Sequence, residues 1–95
     1  MALVHDTFTV TTSPTLIATI PAKNPTIMVT VVNDDNSSIY IGDSTVAASG
    51  ADKGLTVVKN TSYNIALNAG DNLYAISSAG TASNSVSVLY SKVIG

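Results

Sequence analysis

The chain has 95 residues, of which 45% are hydrophobic and only 11% charged, with a formal net charge of -2 and no cysteine. Ordinary soluble domains are about 25% charged, so little repulsion keeps copies of this chain apart, and a surface partly covered by neighbouring subunits is expected. Disulfides and thiolate metal sites are excluded, the length supports a single domain over 1–95, and four lone lysines, Lys23, Lys53, Lys59 and Lys92, with no arginine exclude a nucleic-acid footprint.

The opening octet MALVHDTF has no basic n-region and carries Asp6 where a signal peptide would be apolar. No apolar run approaches the roughly 20 residues of a membrane-spanning helix. Synthesis without Sec export is expected, with no membrane partner. Residues 7–12 (TFTVTT) alternate, Phe8 and Val10 facing one way, as in a half-buried strand. Ser13-Pro14 breaks the pattern. Residues 15–20 resume it with Leu16, Ala18 and Ile20 on one face, and Pro21 closes it, because proline cannot donate to a sheet ladder.

Residues 26–43 (TIMVTVVNDDNSSIYIGD) read as a β-hairpin. In the first arm Ile27, Val29 and Val31 oppose Met28, Thr30 and Val32, and both faces carry apolar residues. Asn33, Asp34, Asp35 and Asn36 supply side chains that bond their own backbone and tolerate left-handed dihedrals. Ile39, Tyr40 and Ile41 form the second arm, ended by Gly42. Residues 43–54 are small, polar and glycine-punctuated, the longest loop, with at most a short strand at 45–47. Leu55 to Val58 is a short strand. Lys59-Asn60 turns the chain toward Tyr63, Ile65 and Leu67, which share a face.

A turn at Asn68-Ala69-Gly70-Asp71 precedes residues 72–77, where Tyr74 and Ile76 oppose Leu73 and Ala75. After the polar turn Ser78-Ala79-Gly80-Thr81 comes the last strand, 85–93. There Val86, Val88 and Tyr90 alternate with serines until Leu89 interrupts the polar face, which suggests cover on both sides. Val86, Val88, Leu89 and Tyr90 are therefore the candidate subunit interface. Seven or eight short strands separated by Gly, Asn and Asp turns, without useful helical periodicity, predict an all-β protein. The expected architecture is an antiparallel β-sandwich of jelly-roll or immunoglobulin-like type, with no substantial helix. The expected core is Phe8, Val10, Leu16, Ile20, Ile27, Val29, Val31, Ile39, Ile41, Leu55, Val57, Ile65, Leu67, Val86 and Val88.

Reactive constellations are few. His5, the sole histidine, stands beside Asp6 ahead of the first expected strand, but a hydrolase triad needs a strained nucleophile turn, and no G-x-S-x-G is present. A terminal histidine is the plain reading. Asp34, Asp35, Asn36 and Asp43 could crowd oxygen ligands for calcium, yet their spacing matches no EF-hand loop and turn chemistry accounts for residues 33–36. Tyr40, Tyr63, Tyr74 and Tyr90 could stack a sugar ring, although strand tyrosines more often bury the ring and bond the hydroxyl at an edge. The expectation is no enzyme, no cofactor and no metal.

Ile39-Tyr40-Ile41-Gly42, Gly54-Leu55, Gly70-Asp71-Asn72-Leu73-Tyr74-Ala75-Ile76, Ser78-Ala79-Gly80-Thr81 and Val86-Ser87-Val88-Leu89 together resemble a pattern of small virion proteins of tailed bacteriophages. The resemblance spans more than half of the chain. It implies a binding role, as a capsid decoration (cement) protein on the outside of a phage head, with a head-fibre or small tail component as the alternative, and it carries no catalytic residue. It also implies a homo-oligomer, a trimer before a dimer, whose partner is the major capsid protein or another virion protein, located in the virion. A carbohydrate-binding or adhesin sandwich is the competing class, which would bring an export signal and exposed tryptophan.

Overall fold

The computed structural model describes residues 2–47, 50–78 and 83–92. They form eight strands: β1 (Ala2–Val10), β2 (Thr15–Thr19), β3 (Ile27–Asn33), β4 (Ile39–Gly42), β5 (Leu55–Val57), β6 (Thr61–Leu67), β7 (Asn72–Ser77) and β8 (Asn84–Lys92). One four-stranded sheet has the order β1-β8-β3-β6 and the other β2-β7-β4-β5. Every strand pairing is antiparallel, and no helix occurs among the described residues. The pairs β1 with β8, β2 with β7, β3 with β6 and β4 with β5 nest inside one another. The chain is thus one long hairpin ribbon wrapped into two layers, the jelly-roll arrangement rather than the immunoglobulin one.

The expected hairpin over 26–43 does not form. Its arms, β3 and β4, lie in different sheets: β3 pairs with β6 and β8, and β4 with β5 and β7. The linker 34–38 is too long for a tight two-residue turn and crosses the gap of about 10 Å between packed sheets. This places Val29 and Val31 opposite Ile39 and Ile41 in one core, all four within 2% of complete burial. Asn33 keys the crossing: its Nδ2 donates to the carbonyls of Ser37 at 2.7 Å and Val57 at 3.1 Å. Although Asn and Asp tolerate left-handed dihedrals, none of residues 33–36 adopts one; Asn60 does, φ 56°, where the chain passes from β5 to β6.

Most of the expected core is buried. Phe8, Ile27 and Ile65 are half-buried against it, while Leu16 and Leu55 are on the surface, 42% and 45% exposed. A β-bulge between Leu16 and Ala18 causes the first departure. It adds a residue to β2, so Ile17 and Ala18 both enter the core and Leu16 stays outside, opposite Tyr74. Leu55 opens β5, a three-residue strand at the sheet edge with no neighbour beyond it. Leu73 and Ala75 complete the core from β7, and Val46 is buried within the long loop.

That loop is tucked against β4 by two close approaches. A Cβ on Gly54 would stand 2.5 Å from both the Ile41 carbonyl oxygen and Val46 Cγ2, and one on Gly42 would stand 3.2 Å from Val46 Cγ2. A parallel bridge pairs Ala47 with Lys53. The predicted turn at Ser78 to Thr81 falls largely outside the described residues, as does the last residue of the predicted strand, Val93.

Candidate assembly interface

Alternation along β1, β8, β3 and β6 sends one set of side chains inward and the other to the outer face of the first sheet. Register aligns them in rows. Thr30 lies opposite both Leu89 and Asn64, and Leu89 lies opposite His5. A second row joins Thr7, Ser87, Val32 and Ser62, and Met28 pairs with Ala66. Short hydroxyls and amides bond across strands within each row: Thr30 Oγ1 donates to Asn64 Oδ1 at 2.8 Å, and Thr7 Oγ1 bonds Ser87 Oγ at 3.1 Å. Among these polar side chains Leu3, Met28 and Leu89 stand 67%, 60% and 44% exposed. No Asp, Glu, Lys or Arg is among the described residues of this face.

The four residues expected at an interface divide between core and surface. Val86 and Val88 are enclosed by their own chain and Tyr90 packs half-buried against the same core, leaving Leu89 as the outward member. The strand follows period two throughout, so Leu89 replaces a polar residue on the outer face without moving its neighbours. Leu3 went unassigned in the sequence because the first strand was expected from residue 7, whereas β1 begins at Ala2. The apolar triplet Ala2-Leu3-Val4 was the signal. His5 consequently lies within a strand rather than in a free terminus.

The outer face of the second sheet is more aromatic. Tyr74 faces Leu16 and Gly42, and Tyr40 faces Ile76 and Thr56. Lys53 Nζ sits 5.4 Å from the centre of the Tyr40 ring, a cation–π contact reaching over from the long loop. Tyr63, by contrast, projects from the first sheet at 39% exposure. Tyr40 and Tyr74 thus share the outer face of the second sheet, whereas Tyr63 lies across from the inward Val31 on the edge strand and Tyr90 packs against the core, so the four form no single platform. At the open side of the sandwich a groove of about 180 Å³ runs between β1 and β2, lined by Asp6, Phe8, Ile17, Tyr90 and their neighbours.

Strand geometry separates the reactive groups. His5 and Asp6 are consecutive in β1 and point to opposite faces. Asp35 accepts hydrogen bonds from the backbone amides of Asn36 at 2.8 Å and Ser85 at 3.0 Å, which hold its carboxyl below the usual range. Asp43 accepts from the Thr45 hydroxyl at 2.6 Å and the Thr45 amide at 2.9 Å, with the same consequence. Asp34 and Asp35 precede β4 and Asp43 follows it, so the strand keeps them at opposite ends. No group of three His, Cys, Asp or Glu able to hold a metal occurs among the described residues.

No protein-family model matches the sequence, and no curated protein matches it. A solved structure matches the fold. It is a chain described in the words "Bacillus endospore appendages form a novel family of disulfide-linked pili", superposing with a TM-score of 0.59 over 97% of this chain and 87% of that one, at 11% sequence identity. At that identity the likeness is one of fold.

Proposed function

We propose that the chain is a structural subunit that works by packing against protein surfaces, copies of itself included. The observation that carries this reading is the outer face of the first sheet, where Leu3, Met28 and Leu89 are exposed on a field whose described residues include no Asp, Glu, Lys or Arg. Interface cores are depleted in charged residues, and the three side chains stand on the adjacent strands β1, β8 and β3 of one face. The finer reading is a capsid decoration protein, an oligomer seated on the outside of a phage head against the major capsid protein. It is supported by the resemblance of residues 39–42 and 70–76 to small virion proteins.

The fold neighbour favours a second reading, a subunit of an extracellular appendage. That neighbour is described as disulfide-linked, whereas this chain has no cysteine and so offers none of its own residues for such a link. Quantitative mass spectrometry of purified native particles and of sheared surface appendages separates the two. Hundreds of copies per particle support decoration of a shell, and recovery in the appendage fraction supports a filament. Absence from both fractions, together with a monodisperse monomer at high micromolar concentration, removes the structural reading.

A further inference from the structure

Among the described residues each sheet of the sandwich has two free edges, and an unpaired edge invites another strand unless something blunts it. Three of the four edges here are blunted. β5 is only three residues long, with Lys53 and Lys59 two residues beyond its ends. β2 is broken by its bulge and lies between Pro14 and Pro21. β1 carries Asp6 on its inner side, opposite the buried Val88 and in the groove beside Phe8. The fourth edge, β6, is long and unbroken: seven residues, TSYNIAL, with no charge, proline or bulge within the strand, in unbroken register with β3 from Thr61 to Leu67, and with Lys59 only at its entry.

We infer that β6 is a pairing edge whose occupant is β6 of a second copy, giving an antiparallel two-fold dimer with one continuous eight-stranded sheet. This rests on the self-packing role proposed above and names the contact. Three features select a second copy as the partner. The strand is uncharged, so its own duplicate meets no repulsion. Full overlap of seven residues puts the dyad at Asn64, so that Asn64 faces Asn64, and Tyr63 faces the partner's Ile65, an aromatic and β-branched cross-strand pair. The flanking charges are complementary: Lys59 precedes the strand and Asp71 follows it, and antiparallel pairing brings each Lys59 toward the opposite Asp71. The contact is isologous and closes on itself, so its unit is a dimer.

The test is charge substitution at the dyad. Asn64 is exposed on the outer face, and Asn64→Lys or Asn64→Asp puts two like-charged side chains directly opposite each other across the axis, their Cβ atoms about 5 Å apart. Analytical ultracentrifugation of the parent is expected to show a dimer. Each variant alone is expected to raise the dissociation constant at least 10-fold while keeping the parent far-ultraviolet circular dichroism. An equimolar mixture of the two variants is expected to recover the dimer. Self-association that is a trimer or an open polymer, or that ignores both substitutions, overturns the β6 contact and leaves the structural reading standing. A parent that remains monomeric at high micromolar concentration also overturns the β6 contact, and the structural reading then stands or falls with recovery in the particle or appendage fraction.

Discussion

Asn33 ends β3 with its side chain completely enclosed, and that amide is the polar centre of this end of the sandwich. Its Nδ2 serves the carbonyls of Ser37 and Val57, and its Oδ1 accepts the Asp35 amide at 3.2 Å. Asn84 Nδ2 reinforces the site with a 2.8 Å bond to Ser37. Replacing Asn33 by alanine strands the Val57 carbonyl and the Asp35 amide, and is expected to lower the unfolding free energy by about 2 to 4 kcal/mol in denaturant titration. Asn36→Ala, three residues on and exposed, is expected to stay within about 0.5 kcal/mol of the parent. Asp35 lies in the same crossing and ties it to β8 through Ser85. Because its folded carboxyl titrates below its unfolded value, the unfolded chain binds the proton more readily. Its stabilisation is therefore complete above about pH 4, the ordinary carboxylate range, and is lost as the pH falls through the folded value. Melting curves from pH 6 to pH 2 should show a shallower acid decline for Asp35→Asn than for the parent; equal slopes would contradict this.

At the scale of the strand, the bulge in β2 decides which neighbour carries the packing. Ile17 is 2% exposed and Leu16 42%, so Ile17→Ala is expected to cost about 2 to 5 kcal/mol and Leu16→Ala under about 1. Strict alternation predicts the reverse order, and chemical denaturation of the two variants distinguishes the readings. The case also shows what can be read from the chain and what cannot. Period two in β1, β3 and β8 set their inward residues correctly, because the alternating positions Phe8 and Val10, Ile27, Val29 and Val31, and Val86 and Val88 are all apolar. The bulge left no mark, since Leu16, Ile17 and Ala18 are all apolar and either register satisfies the pattern. Residues 33–38 announced a reversal, but the same Asn and Asp side chains serve a hairpin or an arch between sheets. Only Asn33, bonded to Val57 across 24 positions, settles which one forms. The uncharged outer face was visible as low charge in the composition, yet its members depended on knowing that β1 starts at Ala2 and that Val86 and Val88 turn inward.

For the whole molecule, Val88 and Leu89 separate folding from assembly. They are adjacent in β8, yet Val88 is 2% exposed and Leu89 44% exposed. Aspartate at 88 places an unpaired carboxylate among Val10, Val31 and Val86, and such a charge costs several kcal/mol, enough to unfold a domain of ordinary marginal stability. Aspartate at 89 remains in water in a lone subunit, so the monomer should fold and melt much as the parent monomer does. Once that face is covered by another copy, however, the same carboxylate is desolvated without a partner. Because association stabilises only the folded state, the melting temperature of an assembling parent rises with protein concentration. Leu89→Asp is expected to flatten that rise and to shift the sedimentation profile toward monomer. Val88→Asp is expected to lose its β-type circular dichroism minimum near about 215 to 218 nm, the signature of a mostly β fold. If Leu89→Asp sediments and melts as the parent does at every concentration, the outer face of the first sheet is not where copies meet, and the contact lies at the β6 edge or on the tyrosine-bearing face of the second sheet.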